Sequence, residues 1–207
     1  MPELTLYHIA PSRSSLVLWL LEEIGEPYEL HVFDPQKGEN REPAFLAINP
    51  MGKVPALRHG DVVITEAAAI CCYLADAFPK AGLNVPIGDK RRGPYLKWLF
   101  FGPSCLEPSL IERMYKRETP LPRGQVGWGD ADGPIEAVSQ GLKPGPYLLG
   151  EQFTVADMVI GGGLRFGMMV KAIPEPPDFR AYVARVTDRP AQKRAADKDK
   201  QLAAQRS

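Results

Sequence analysis

The chain has 207 residues, enough for one large domain or two small ones. Lys+Arg and Asp+Glu both number 25, and 44% of residues are hydrophobic, so no basic excess points to nucleic acid or to an anionic membrane surface. No apolar run approaches the roughly 18 residues of a membrane helix. The N-terminus shows no leader pattern, and the three cysteines make neither a C-x-x-C nor a metal-binding spacing, so a reduced, cytoplasmic protein is expected.

Taken in chain order, Leu4 to Ile9 alternates as a strand, and Ala10-Pro11-Ser12-Arg13-Ser14 breaks it. Ser14-Ser15 opens an apolar helix that Gly25 and Pro27 stop. Tyr28 to Phe33 reads as a second strand, reached by a crossover helix and therefore parallel to the first. Residues 42–48 form a short helix in this reading, before the turn Asn49-Pro50-Met51-Gly52.

The stretch from Asn49 to Ile70 is the densest in structural signals. Val54-Pro55-Ala56-Leu57 reads as a short buried strand with a proline at its mouth. A proline there stands at a strand's start or edge, and Val54-Pro55 is a candidate cis bond. His59-Gly60-Asp61 turns the chain into the return strand Val62-Val63-Ile64. Thr65 then caps a helix whose first residue is Glu66, followed by Ala67, Ala68 and Ala69 and running to about Phe78. The order β-α-β-α-β-β-α describes a small α/β domain of about eighty residues.

The Pro/Gly-rich segment after Pro79 reads as a linker, with domains expected at residues 1–79 and 89–207 and the linker at 80–88. Beyond it the strand signal ends. Residues 90–118 carry helical spacing, with kinks expected at Pro103 and Pro108. Thr119 to Asp130 is a loop, and a helix follows from Ala131 to Leu142. Thr154-Val155-Ala156-Asp157 resembles a capping box with Asp in the usual Glu position, opening an apolar helix to about Val170. Asp178 to Asp188 makes a last helix, and the charged tail from Gln192 is expected to fray for want of an apolar face.

Several features carry no function in this reading. Gly161-Gly162-Gly163 lies inside an apolar helix, without the preceding strand of a phosphate loop, and is read as a close packing contact. His8, His31 and His59 are too scattered for a metal site. Cys71, Cys72, Trp98, Phe100 and Phe101 are read as core.

Five segments in this order resemble the bacterial, cytosolic glutathione transferases: LYHIAPSRSSLVLWLLEEIGEPYE, NPMGKVPAL, ITEAAAI, FFGPSCLEPSL and YLLGEQFTVADMVIG. The resemblance covers nearly the whole chain. It implies a thioredoxin-like N-terminal domain that binds glutathione as co-substrate, then an all-helical C-terminal domain that supplies most of a hydrophobic pocket. It also implies a homodimer and conjugation of the glutathione thiolate to a small hydrophobic electrophile. Reduction of disulfides with glutathione, and a non-catalytic binding role, are the alternatives.

By this resemblance the thiol-activating residue lies in or just before the loop after strand one. Ser12 is the first choice and Ser14 the second; Tyr7, near the end of the strand, is the activator's place in other classes. The reacting species is the thiolate, and lowering a thiol pKa by two units takes about 2.7 kcal/mol. A hydroxyl donor at a helix N-terminus can contribute energy of that order. Serines at such a place also cap helices whatever else they do. The backbone of Val54 beside Pro55 would meet the cysteinyl part of glutathione as an added strand does. Lys53 would reach its glycine carboxylate, and Glu66 its γ-glutamyl ammonium. The first turn of the helix would hold the γ-glutamyl carboxylate. The family usually has Ser after that Glu; this chain has Ala67, which keeps the backbone N–H and loses a hydroxyl.

Overall fold

The computed structural model describes residues 3–115, 117–119 and 121–205. Of the segments read above, Lys116, Pro120, Arg206 and Ser207 lie outside them. The chain divides into two compact units, Met1–Gly82 with Arg189–Ser207, and Leu83–Asp188. The closing segment of the expected helical domain therefore belongs by its packing to the first unit.

The first unit runs β1 (Leu4–His8), α1 (Ser14–Ile24), β2 (Tyr28–Val32), α2 (Pro43–Leu46), β3 (Ala56–His59), β4 (Val62–Thr65) and α3 (Ala67–Ala77). This is the expected order. The strands form one sheet, β2-β1-β3-β4, with β1 and β2 parallel and the other two pairs antiparallel. The strand residues Leu4, Leu6 and Leu57 are fully buried together with Leu18, Leu20 and Leu21 of α1 and Ile70 and Leu74 of α3. A second cluster joins Tyr7, Phe33 and Phe45, with Phe33 and Phe45 ring centroids 4.6 Å apart.

The second unit holds α4 (Arg92–Phe101), α5 (Glu107–Met114), α6 (Gly133–Gly141), α7 (Val155–Met169) and α8 (Pro177–Thr187). The kink expected between α4 and α5 is a π-helical turn over Gly102–Leu106, which contains Pro103. Pro108 falls in the first turn of α5, which follows the π-helical turn directly. The capping box forms as read: Thr154 and Asp157 bond each other's backbone at the start of α7. Of the three glycines read as a packing contact in α7, Gly161 and Gly163 are one, while a Cβ on Gly162 would meet nothing within 4 Å. A Cβ on Gly161 would meet Val186 of α8 at 2.8 Å, and one on Gly163 would meet Leu106 at 2.8 Å. Phe100, read as core, is instead 47% exposed. Among the described residues no helix is long and apolar enough to cross a membrane.

The tail does not fray. It forms α9 (Pro190–Ala204), a full helix of the first unit. Its apolar contribution is small, Ala191 and Ala195, and that is why an apolar pattern missed it. Charge docks it instead. Arg189 makes a two-pronged contact with Glu23 of α1 at 2.6 and 2.8 Å, while Arg194 and Lys198 reach Glu22 at 2.7 and 2.6 Å. Burial alone would push the Glu22 carboxyl up, but hydrogen bonds from Lys198, Tyr28 and Arg194 outweigh it and hold it at about 2.

A folded-state value below the ordinary one means that the contribution is full above about pH 4.5 and is lost as pH falls toward about 2. With the cationic partners half-exposed, the loss is on the order of 1–2 kcal/mol. Hydrogen exchange should therefore show the amides of α9 losing protection across that window before those of β1 and α1. Equal loss in all three elements would refute this account of the docking.

Candidate active site

The sheet register brings three separate segments to one end of the first unit. Tyr7 on β1 stands opposite Ala56 on β3, and Ala56 opposite Thr65 on β4. The chain leaves or enters this row at the β1–α1 loop, at Val54-Pro55 and at Glu66. The residues read as one site from motifs far apart in sequence thus share one edge of one sheet.

In the β1–α1 loop the serines are tightly interlocked. The Ser12 and Ser14 hydroxyls are 2.7 Å apart, and the Ser14 N–H donates to Ser12 Oγ at 3.1 Å. The Ser12 N–H donates to Ser15 Oγ at 3.3 Å, and the Ser15 N–H returns to Ser12 O at 3.1 Å. Ser14 is fully buried, its hydroxyl 2.8 Å from His8 Nδ1, while Ser12 is half-buried. His8 is itself without exposure, and its Nε2 lies 2.9 Å from Asp199 Oδ1 of α9, off the line of the ring N–H. Tyr7 is placed differently: its ring is buried among His31, Phe33 and Phe45, as a core aromatic would be.

The Asn49–Gly52 turn is held by its own polar groups. The Gly52 N–H donates to Asn49 O at 2.8 Å, Asn49 Nδ2 to Lys53 O at 2.8 Å, and Asn40 Nδ2 to Gly52 O at 2.7 Å. Gly52 has φ +58°, and a Cβ there would stand 2.8 Å from Asn40 O, so only glycine fits without displacement. The turn delivers Val54-Pro55 as the cis bond expected. Val54 packs its side chain on the aromatic cluster, and among the described residues its backbone N–H and C=O meet no partner. Lys53 is exposed.

The helix after β4 starts one residue later than read. Glu66 is not its first helical residue but its cap, with φ 69° and ψ 118°, and α3 starts at Ala67. A non-glycine residue in this region carries strain of about 1–3 kcal/mol, which surrounding structure must impose. Glu66 is exposed. No side chain caps α3, and its first turn has no acidic residue, so the N–H groups of Ala67 to Ala69 are left for another acceptor.

A model of the family described as Glutathione S-transferase, N-terminal domain, matches residues 2–76. Glutathione S-transferase GstA of Escherichia coli O157:H7 is 30% identical over 82% of this chain and 86% of its own. The chain belongs to the glutathione transferase family. A glutathione transferase from Methylococcus capsulatus has a solved structure that superposes with a TM-score of 0.80, at 30% identity over 96% of this chain and 99% of that one. A family homologue from Sulfitobacter, solved with bound glutathione, superposes with a TM-score of 0.74 at 28% identity, over 98% and 100% of the two chains. The thioredoxin-like first unit and the helical second one are thus the family's fold.

His8 and Asp199 are the site-linked residues that motif reading passed over. The spacing of the three histidines speaks to His8 only as a metal ligand. It occupies the same strand phase as Leu4 and Leu6, the buried one, and a histidine in that phase needs a buried partner. Asp199 gave no signal, because it sits in a run of charge read as solvated. Cys71 offers no competing nucleophile: it is fully buried, and burial first, then the neighbouring Cys72, pushes it up to about 12.

Proposed function

We propose that this protein conjugates glutathione to small hydrophobic electrophiles, binding the tripeptide at the shared edge of the sheet. The observation that carries this reading is the convergence of a hydroxyl, the unpaired backbone of Val54 beside a cis proline, and a strained acid at that edge. The half-buried Ser12 hydroxyl stands at the start of α1, where the helix terminus favours negative charge. The free N–H and C=O of Val54 suit an added peptide strand. Glu66 supplies charge for the γ-glutamyl ammonium, the first turn of α3 receives its carboxylate, and Lys53 is in the turn that would meet the glycine carboxylate. The bound tripeptide would supply the thiolate that attacks the electrophile. Glutathione in the Sulfitobacter neighbour supports the choice of ligand.

The site fits this ligand with one contact fewer than usual. Ala67 retains the backbone donor, so affinity is reduced and not abolished; one charge-assisted hydrogen bond amounts to about 1.5–3 kcal/mol at most. A homodimer is part of the reading, as in the family at large. Disulfide reduction with glutathione would use the same edge, and turnover of aryl halides against that of glutathione disulfide separates the two.

Calorimetry of glutathione binding to the wild type and to Glu66→Ala tests the site. Glu66 is exposed, so solvent screening limits the loss to about tenfold in Kd, with the fold intact. Unchanged affinity in the variant would remove Glu66 from the site. No binding by the wild type at millimolar glutathione would leave the fold with a non-catalytic role.

A further inference from the structure

From the hydrogen-bonded chain of Ser12, Ser14 and His8 behind the active-site loop we infer that His8 is the proton acceptor for the glutathione thiol, reached through the two serine hydroxyls, with Asp199 of α9 as its counter-ion. The inference rests on the glutathione reading above. Its residues all belong to the first unit and form one line: Ser12 Oγ to Ser14 Oγ at 2.7 Å, Ser14 Oγ to His8 Nδ1 at 2.8 Å, and His8 Nε2 to Asp199 Oδ1 at 2.9 Å. The last three follow one another in the order of a hydrolase triad, with an ion-pair distance and no regular hydrogen bond between His8 and Asp199. Ser14 is fully buried, however, so no substrate carbonyl can reach it. The accessible end of the line is Ser12.

The direction of each proton follows from the partners. A carboxylate beside Nε2 favours the proton there, so Nδ1 presents its lone pair. Ser14 has one proton, and His8 Nδ1 at 2.8 Å takes it in preference to Ile9 O at 3.3 Å. Ser14 Oγ then only accepts, from the Ile9 N–H at 3.2 Å and from the Ser12 hydroxyl. Ser12 in turn points its proton inward and offers a lone pair outward. In this state it is a proton acceptor for a thiol, not a donor to a thiolate.

One concerted shift converts it. The thiol S–H bond breaks and its proton joins Ser12 Oγ. The proton of Ser12 passes to Ser14, and that of Ser14 passes to His8 Nδ1, giving an imidazolium beside Asp199. Charge is conserved, with a thiolate outside and an imidazolium inside. Every hydroxyl remains fully bonded: Ser14 now donates to Ser12 and accepts from Nδ1–H, and Ser12 donates to the thiolate while still accepting the Ser14 N–H. The acceptor role and the donor role of Ser12 are two states of one chain.

The surroundings leave His8 and Asp199 to each other. On α9 the flanking lysines are engaged elsewhere, Lys198 on Glu22 and Lys200 on Asp197. On β2 the neighbour of His8 is Val32, and the acids of α1, Glu22 and Glu23, are held by Arg194, Lys198 and Arg189. Oδ1 of Asp199 and Nε2 of His8 are both buried and have no hydrogen bond of regular geometry, so a charge arising on the ring has its counter-ion at hand.

The test is proton bookkeeping at about pH 7.5, where free imidazole is mostly neutral and a free thiol mostly protonated. Glutathione is titrated by calorimetry into full-length protein in buffers of different ionisation enthalpy, and thiolate absorbance is read in the same complexes. The wild type should form thiolate while releasing far less than one proton to the buffer. In His8→Gln and Asp199→Asn the thiolate should be reduced, and what forms should release about one proton each. Nitrogen chemical shifts of the His8 ring in the wild type give a second reading that needs no variant: neutral with Nε2–H in the free protein, imidazolium in the complex. Thiolate formed with about one proton released, or a ring that stays neutral, overturns the relay and leaves the glutathione reading standing. Glutathione bound without thiolate, or not bound, overturns both.

Discussion

Ser12→Ala should raise the pKa of the bound thiol by about one to two units and lower kcat/KM about 100-fold, because it removes the hydroxyl that faces the developing negative charge. Below the pKa of the bound thiol the glutathione Kd should change by less than about threefold, since the contact is made mainly to the thiolate; at higher pH the Kd should rise with the pKa shift. Stability should be nearly unchanged, because Ser12 is half-buried and water can replace its contacts. Ser14→Ala is the informative contrast. Its hydroxyl is fully buried and engages His8, Ile9 and Ser12, so its removal leaves buried groups unpaired and should cost about 1–3 kcal/mol of stability. Urea melts and pH–rate profiles of the two variants, read together, distinguish the reacting hydroxyl from the supporting one. A rate loss in Ser14→Ala with none in Ser12→Ala would reverse the assignment.

Asp157→Ala should be the most damaging single change to stability. The carboxylate is fully buried and accepts the Leu148 N–H at 2.9 Å, the Thr154 N–H at 2.9 Å, the Thr154 hydroxyl at 3.2 Å and the Tyr182 hydroxyl at 2.9 Å. Alanine orphans all four donors inside the second unit, where water does not reach them. At about 1–3 kcal/mol for each and less than full additivity, the loss is about 4 kcal/mol or more, a large part of a typical domain's stability. Chemical denaturation of the variant should show a midpoint shift of that size. A shift below about 1 kcal/mol would mean that the network is not a structural centre of the helical unit.

Much of this was legible in the sequence, for identifiable reasons. Thr154 and Asp157 announce a capping box because both groups act locally, within one helical turn. Pro55 announces an edge because a proline cannot donate to a ladder. Gly161 and Gly163 announce close packing because nothing else puts glycines on an apolar helix face. The misses are of another kind. The helix after β4 starts at Ala67 and not at Glu66, because the backbone of Glu66 takes a positive φ that its side chain does not predict. Helix α9 was invisible because it docks through Arg189, Arg194 and Lys198, whose charges look solvated until Glu22 and Glu23 are known to lie opposite. His8 was misjudged because a buried histidine is defined by its partners, and Asp199 lies 191 positions away.

Helix α9 also bears on how the molecule is made. The first unit is discontinuous: its closing helix follows the whole of Leu83–Asp188 in the chain. A ribosome must therefore synthesise the second unit completely before residues 189–205 can reach β1 and α1. Until then the nascent first unit holds Glu22 and Glu23 without the cations that neutralise them, a state costly to bury. Its sheet can form early, yet it becomes fully compensated only after synthesis has passed the second unit. A chain broken off at the end of α8 would keep Ser12, Val54 and Glu66 and still lack the charges that secure the floor beneath them, which makes it a natural substrate for quality-control proteases.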